Sequence, residues 1–153
     1  MPDSPSLRPV EPADTRVIGD IFLAALAGMT YLPELYTEEE TRTFIRDVLL
    51  PRNEVWVAED GGRVIGFLGL YGDIVSHLWV HPDQQNRGVG TALLALAKER
   101  RPSGLRLQVY QQNVGARRLY ERHGFTLVRL VDGSGNREGE PEAFYEWRPR
   151  EPA

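Results

Sequence analysis

Seven residues between a predicted strand and a predicted helix, Gln85-Asn86-Arg87-Gly88-Val89-Gly90-Thr91, have the composition of a phosphate-binding turn. Glycines let the backbone approach a ligand closely, and the N-terminus of the following helix directs unpaired amides and a partial positive charge toward it. The glycines alone are equally compatible with a tight strand-to-helix turn. The P-loop pattern is absent, and a dinucleotide fingerprint would need a third glycine where the chain has Leu93.

Three histidines are the other side chains whose type suggests chemistry: His77 and His81 at a predicted strand, and His123 at the predicted end of a helix. In a regular strand His77 and His81 would lie about 13 Å apart, too far to share a metal ion. The chain has no cysteine and no His-Glu-x-x-His string, so we predict no metal site. The Gly-x-Ser-x-Gly elbow of many serine hydrolases is also absent.

The composition is typical of one ordinary globular domain. The chain has 153 residues, of which 41% are hydrophobic and 26% charged. A net charge of −4 argues against non-specific nucleic-acid binding, and the lack of cysteine excludes a disulfide scaffold and a thiol nucleophile. The longest apolar run, Ile21 to Met29, is shorter than the roughly 20 residues of a membrane span. The first residues do not have a signal-peptide pattern. We therefore expect a single domain over residues 1–153, in the cytoplasm and without a membrane partner.

The elements that must position these residues mix helices and strands. The runs Glu54–Glu59 and Arg63–Leu70 flank Asp60-Gly61-Gly62, which predicts a hairpin. The sequence Thr37-Glu38-Glu39-Glu40 has capping-box spacing and predicts the start of a helix that Pro51 ends. Further strands are predicted at Leu7–Val10, Ile74–Val80, Leu105–Tyr110, Phe125–Leu130 and Ala143–Trp147. Further helices are predicted at Thr15–Gly28, with Asp14 as its N-cap, at Gly88–Arg101 and at Val114–His123.

Two strings, in this order, resemble motifs of the GNAT N-acetyltransferase superfamily. Residues 77–90, His-Leu-Trp-Val-His-Pro-Asp-Gln-Gln-Asn-Arg-Gly-Val-Gly, are similar to the family's acetyl-CoA-binding signature. In that signature a Gln or Arg, two residues, a Gly, one residue and a Gly or Ala follow a strand with an apolar-x-Val-x-Pro ending. Residues 113–125 are similar to the family's Asn-x-x-Ala-x-x-x-Tyr-x-x-x-Gly-Phe string. The resemblance covers about residues 74–130, with a predicted strand and helix between the two motifs.

The resemblance implies a single-domain mixed α/β fold with a central, mostly antiparallel sheet of about six to seven strands and about four flanking helices. It also implies that strands 4 and 5 splay apart and that the pantetheine arm of acetyl-CoA lies between them. The backbone groups that would pair with this arm belong to Leu78, Trp79 and Val80. The backbone from Gln85 to Thr91 would hold the pyrophosphate. Asn113 would bind the pantetheine arm, although capping the helix that starts at Val114 explains this residue equally well.

The resemblance further implies direct attack of an amine on the acetyl thioester, with a tyrosine as general acid. Tyr120 stands at that position of the motif, and a phenol with a pKa of about 10 is protonated at neutral pH. Its spacing in the helix is also that of a core residue. The general base stays open: Gln108 stands where several members have a glutamate and cannot accept a proton. His77, Glu34 and water are the alternatives.

In this family the two N-terminal helices and their loop usually line the acceptor side. Tyr31, Glu34 and Tyr36 lie in that loop, and rings with a carboxylate suit a cationic ammonium group. The expected substrate is therefore a primary amine of a small molecule, peptide or protein, acetylated from acetyl-CoA. The alternative is a non-catalytic acyl-CoA-binding or regulatory module of the same fold.

The C-terminal apolar run is a candidate for pairing between subunits in a homodimer. Its aromatic residues are Phe144, Tyr145 and Trp147. Such pairing requires a strand with a free edge.

Overall fold

Within residues 4–149, which the computed structural model describes, the chain forms seven strands and four helical rods. The strands are β1 (Ser6–Pro9), β2 (Glu54–Asp60), β3 (Arg63–Tyr71), β4 (Ile74–Val80), β5 (Leu105–Tyr110), β6 (Thr126–Val131) and β7 (Glu142–Trp147). The helices are α1 (Thr15–Ala27), α2 (Glu38–Phe44), α3 (Leu50–Arg52), α4 (Val89–Arg100) and α5 (Val114–Arg122). A π-helical turn, Ile45–Leu49, joins α2 to α3 as one rod. In this part of the chain no helix is long and apolar enough to cross a membrane.

The strands form one sheet in the order β1-β2-β3-β4-β5-β7-β6. All neighbouring pairs are antiparallel except β4 and β5, which run parallel. This confirms the expected mixed, mostly antiparallel sheet. Among the described residues, β4 and β5 pair only at Ile74 and Arg106. The two strands separate beyond that point, which confirms the expected splay.

The β2–β3 hairpin forms where the sequence predicts it. Gly61 and Gly62 have φ values of 59° and 79°, and Asp60 pairs with Arg63 across the turn. A two-residue hairpin turn with positive φ at both central positions matches the twist of the flanking strands, and glycine adopts that conformation without steric cost. The hairpin brings β3 into the middle of the sheet, next to the strand that carries His77.

The helix predicted from the capping box also forms, but it does not end at Pro51. The Thr37 hydroxyl accepts from the Glu40 N–H and the Glu40 carboxylate accepts from the Thr37 N–H, each at 3.0 Å. Proline has no N–H to donate, so a regular α-helix would lose a bond there. The helix instead widens into the π turn, in which the Leu50 N–H donates to the Ile45 carbonyl, and continues to Arg52.

Asp14 is the N-cap residue of α1, but its side chain does not make the predicted capping hydrogen bond. Its carboxylate accepts from the Glu11 N–H at 2.7 Å and from both terminal nitrogens of Arg8 at 2.8 and 2.9 Å. Asp14 is 6% exposed, and this pairing satisfies its buried charge. The contact fixes β1 to the turn that leads into α1.

The sheet separates two apolar cores. One lies under α4 and α5 and contains Leu68 of β3; the other lies under α1 and the π turn and contains Phe67 of the same strand. Successive residues of a strand face opposite sides of a sheet, so β3 supplies both cores. Both faces of the sheet are therefore covered around β3 and β4, and the strands beside the site are packed on both sides.

The structure corrects the expectation that the C-terminal run pairs between subunits. The strand with Phe144, Tyr145 and Trp147 is β7, and it pairs with β5 on one side and β6 on the other. Both of its edges are used inside the chain, so it has no free edge for a second subunit. Strand order depends on contacts distant in sequence, and for this reason the last strand in the chain is not the last in the sheet.

Candidate active site

An opening in the sheet begins where β4 and β5 part. The Arg106 N–H donates to the Asp73 carbonyl at 2.9 Å, and the strands diverge after this bond. Leu78, Trp79 and Val80 pair with β3 along one edge of β4. No strand of residues 4–149 pairs with their other edge. A strand edge of this kind presents alternating N–H and C=O groups to an extended ligand.

The side chains of these three residues point away from the opening. Leu78 and Val80 pack against the core under α4, whereas Trp79 packs against the opposite core. The ring centroid of Trp79 lies 4.9 Å from that of Phe22 on α1. A role in binding therefore rests on backbone groups, since the side chains anchor the strand. The His81 N–H donates to the Ile65 carbonyl, so by alternation the backbone groups of Trp79 face Phe67 on β3, whereas those of Leu78 and Val80 face the opening.

The turn from Gln85 to Thr91 curls around the N-terminus of α4. Asn86 and Gly88 have φ values of 64° and 83°, and Gly88 is the N-cap residue. Left-handed residues in such a turn direct successive N–H groups to one side, and the first N–H groups of a helix have no intrahelical partner. Residues 85–88 are exposed. The turn thus has the backbone conformation and the solvent exposure that an anion-binding turn requires.

Polar side chains brace the turn from the outside. The Gln85 amide donates to the Val80 carbonyl at 3.4 Å, and Arg87 donates to the Gln84 side chain at 2.6 Å. The Thr91 hydroxyl lies 3.1 Å from Nε2 of His123. Val89, in contrast, is buried in the core. The predicted phosphate-binding residues are thus brought together in one turn at the start of α4, and all of them except Val89 and Gly90 are exposed.

Asn113 adopts the capping role in the structure. Its Oδ1 accepts from the Ala116 N–H at 3.2 Å, and this fixes the start of α5. The side chain follows directly after β5, on the far side of the splay. Its amide nitrogen has no partner among the described residues and is available to a ligand.

Tyr120 lies in the core at the base of α5. It is 7% exposed, and its ring centroid is 5.7 Å from that of Phe125 and 6.3 Å from that of Tyr145. Burial raises the pKa of the Tyr120 phenol because the phenolate would lose its hydration. Tyr120 is therefore protonated at neutral pH, which a proton donor requires.

His77 lies within an aromatic cage on the opposite face. Ring centroids of Phe22 and Phe44 lie 6.1 and 6.3 Å from that of His77. Trp79 Nε1 donates to His77 Nδ1 at 3.1 Å. Burial lowers the pKa of His77 to about 4, so the imidazole is neutral at pH 7 with one nitrogen already occupied.

The predicted acceptor residues lie on the loop between α1 and α2, where it meets the loop between β6 and β7. Tyr31 stacks edge-on against Tyr110 with centroids 6.0 Å apart, and its hydroxyl is buried with no partner among residues 4–149. The Tyr36 hydroxyl accepts from Arg137 at 3.0 Å. Glu34 is exposed. The two loops thus meet at a junction that carries aromatic rings.

Tyr110 and the β6–β7 loop are absent from the sequence-based site. Burial and the nearby carboxylates of Glu138, Glu142 and Glu140 raise the pKa of Tyr110 to about 12. The Glu140 carboxylate also accepts from Gln112 at 2.9 Å. One signal could have found Tyr110: strand alternation places it on the same face as Gln108, the position already singled out. The loop carried no comparable signal.

No group of three metal-ligating side chains occurs within residues 4–149.

Comparison with known proteins gives one family. The family model of the acetyltransferase (GNAT) domain matches residues 51–127, half of the chain. The chain is 35% identical over 85 residues to the peptidyl-lysine N-acetyltransferase YiaC of Escherichia coli K12. The aligned region covers 55% of this chain and 58% of that protein. The chain thus spans little more than half the length of the curated relatives first matched.

Solved structures share the fold over nearly the whole chain. The solution structure of apo YjaB from Escherichia coli superimposes with a TM-score of 0.78 at 24% identity, covering 95% of this chain and 98% of that one. The structure of yncA, a putative acetyltransferase from Salmonella typhimurium with its cofactor acetyl-CoA, has a TM-score of 0.75 at 22% identity, with 99% and 97% covered. At these identities the likeness concerns the fold.

Proposed function

This chain belongs to the GNAT acetyltransferase family, and from this premise we propose that it transfers the acetyl group of acetyl-CoA to a primary amine. The observation that carries the proposal is the opening between β4 and β5, which lies beside the turn at the N-terminus of α4. A ligand that fits both parts must be extended, bear amides and end in phosphates. Acetyl-CoA has this chemistry.

In this proposal the donor is held mainly by backbone groups. The backbone groups of Leu78 and Val80 on the free edge of β4 pair with the pantetheine amides, and the amides from Asn86 to Thr91 hold the pyrophosphate. Asn113 offers its amide nitrogen from the other side of the splay. Backbone recognition explains why the turn needs left-handed residues more than it needs particular side chains.

The reaction is a direct acyl transfer. The neutral amine attacks the acetyl carbonyl, the C–N bond forms and the C–S bond breaks. The leaving thiolate takes the Tyr120 proton, and the proton that the amine releases to water replaces it on Tyr120, so one proton passes in net from nitrogen to sulfur. A thiol has a pKa of about 8.5 and a phenol one of about 10, so the phenol is the weaker acid. Tyr120 therefore stabilises the departing sulfur by donating a hydrogen bond as charge develops, and the proton moves as the bond breaks.

We propose that water removes the proton from the amine. His77 has its Nδ1 occupied by Trp79 and a pKa of about 4, which makes it a weak base at neutral pH. Gln108 cannot accept a proton. Glu34 is exposed on the acceptor loop and carries no contact that fixes its position among the described residues.

The acceptor that fits best is a lysine side chain of a peptide or protein. YiaC, a relative of this chain, is named a peptidyl-lysine N-acetyltransferase. The junction of the two loops offers the rings of Tyr31 and Tyr110 together with carboxylates of the β6–β7 loop. Rings and carboxylates attract an ammonium group before it loses its proton.

Two experiments test the proposal in order. The first is thermal unfolding with acetyl-CoA, and with ATP and NAD as controls. At a hundred times the dissociation constant a ligand adds about 2.7 kcal/mol, which raises the midpoint of a domain of this size by about 5–10 °C. No shift with millimolar acetyl-CoA would refute the donor site.

The second experiment compares Tyr120→Phe with Tyr71→Phe in an acetylation assay on lysine peptides. Phenylalanine preserves the packing of Tyr120 on Phe125 and Tyr145 but removes the proton donor. We expect kcat to fall about 100-fold or more with acetyl-CoA binding retained. Tyr71 is 59% exposed at the end of β3, and its variant should keep full activity. Full activity of Tyr120→Phe would refute its role as the acid.

The non-catalytic module remains the alternative, and the absence of a well-placed base among His77 and Gln108 favours it. Binding of acetyl-CoA without turnover over lysine peptides and a broad amine panel would establish that alternative.

A further inference from the structure

The first turn of α4 and the last turn of α5 touch at two points. The Thr91 hydroxyl lies 3.1 Å from His123 Nε2. Beside this contact, a Cβ added at Gly90 would come within 3.0 Å of the Leu119 side chain. The absence of a side chain at Gly90 therefore lets the two helices approach closely. The donor-binding turn is in direct contact with the helix that carries Tyr120.

His123 is held in place from its backbone. Its carbonyl accepts a hydrogen bond from the Lys98 ammonium, and its N–H donates to the carbonyls of Leu119 and Tyr120 at 3.2 and 3.1 Å. The Lys98 ammonium also lies 5.0 Å from the ring centroid of Trp147. The imidazole is thus fixed relative to both α4 and α5, and its ring reaches back to the donor turn.

The imidazole acts as a neutral hydrogen-bond partner. Burial and the charges of Lys98 and Arg122 lower the pKa of His123, so the ring is neutral at pH 7. Among the described residues, the Thr91 hydroxyl is the group that is hydrogen-bonded to the ring. A neutral ring cannot neutralise the charge of a phosphate. We therefore assign the ring to its hydrogen bond with the Thr91 hydroxyl.

We propose that His123 is a positioning residue which, by binding the Thr91 hydroxyl, fixes the donor turn relative to α5 and couples acetyl-CoA binding to the placement of Tyr120. The inference rests on the proposed donor site. It assigns the Thr91 side chain to a contact within the protein, whereas the Thr91 backbone amide remains available to the pyrophosphate. The two residues should therefore act as one unit.

A double-mutant cycle tests this coupling. Thr91→Val, His123→Phe and the double variant are compared for acetyl-CoA affinity by calorimetry and for kcat and both KM values in the peptide assay. Each single variant should weaken acetyl-CoA binding by about 3- to 10-fold, the range of one hydrogen bond, and the double variant should be no weaker than the weaker single. The KM for the amine should not change.

His123→Gln and Arg122→Gln serve as matched variants. The glutamine amide at position 123 can still bind a hydroxyl, so His123→Gln should recover part of the affinity that His123→Phe loses. Arg122→Gln removes an exposed charge from the same end of α5 and should bind acetyl-CoA like the wild type. Urea unfolding of each variant without ligand confirms that the compared proteins are folded.

The outcomes separate the two proposals. If the wild type does not bind acetyl-CoA, the donor site itself is wrong. If the wild type binds and the two single effects multiply in the double variant, Thr91 and His123 act independently and the coupling is refuted. Wild-type affinity in His123→Phe, or an equal loss in Arg122→Gln, would refute it as well.

Discussion

The neutral imidazole of His77 should make the protein less stable in mild acid. Its pKa is about 4 in the native state because burial among aromatic rings penalises the charged form. In the unfolded chain an exposed histidine has a pKa of about 6.5. Between these two values the unfolded state binds one more proton than the native state, so stability falls as pH falls through this window.

The size of the effect follows from the two pKa values. One pKa unit corresponds to about 1.36 kcal/mol, so the full effect at pH 4 is about 3 kcal/mol. At pH 5 it is about 2 kcal/mol, and at pH 7 it is close to zero. A loss of about 2 kcal/mol is a large fraction of the stability of a typical domain. It should be measurable by urea unfolding at pH 7 and pH 5.

Carboxylates titrate in the same range, so the contribution of His77 must be isolated by difference. His77→Gln keeps an acceptor for Trp79 Nε1 but does not titrate, and His77→Leu does not titrate and removes the acceptor. The two variants should differ in stability at pH 7, yet both should lose about 2 kcal/mol less than the wild type between pH 7 and pH 5. An unchanged pH dependence in both would refute the buried, neutral His77.

Three further substitutions test other parts of the structure. Asp14→Asn removes the charge that binds Arg8 in a buried position, and urea unfolding should show a loss of about 2–3 kcal/mol; equal stability would show that the pair contributes nothing. Gly88→Ala forces a side chain into φ +83°, so it should cost about 1–2 kcal/mol and weaken acetyl-CoA binding, whereas Gly115→Ala, with open space around it, should do neither. Tyr31→Leu removes the ring that the proposed acceptor site offers to an ammonium group, so the KM for the peptide should rise about 3- to 10-fold. Its control Tyr31→Phe keeps the ring and loses only a buried hydroxyl without a partner, so it should change neither the KM nor the stability; an unchanged KM in Tyr31→Leu would remove Tyr31 from the acceptor site.

Local signals explain what could be predicted from the sequence. The hairpin turn at Gly61 and Gly62 and the capping box at Thr37 depend on residues within a few positions of each other, and both form as predicted. The turn that we propose for the donor is similar: its glycines and the following helix are contiguous, so its left-handed conformation and the start of α4 follow from the sequence pattern.

Long-range contacts explain what could not be predicted. The pairing of Tyr31 with Tyr110, and of Tyr36 with Arg137, joins segments that are far apart in the chain. The position of β7 inside the sheet likewise depends on which strands pair with each other. The alternation of side chains along a strand does not specify its partners. The low pKa of His77 arises from rings on α1 and α2 that meet only in the folded protein.

The opening between β4 and β5 is the part of the sheet in which neighbouring strands of the described residues do not hydrogen-bond to each other. A free strand edge is a liability for aggregation unless something covers it. In this chain Leu78 and Trp79 pack against the two cores on opposite faces of β4. The strand beside the opening is thus anchored by its side chains, which leaves its free backbone groups for a ligand. In the proposed function, this unpaired edge beside the turn at the start of α4 is preorganised for one long ligand, whose binding would complete the sheet at little cost in ordering.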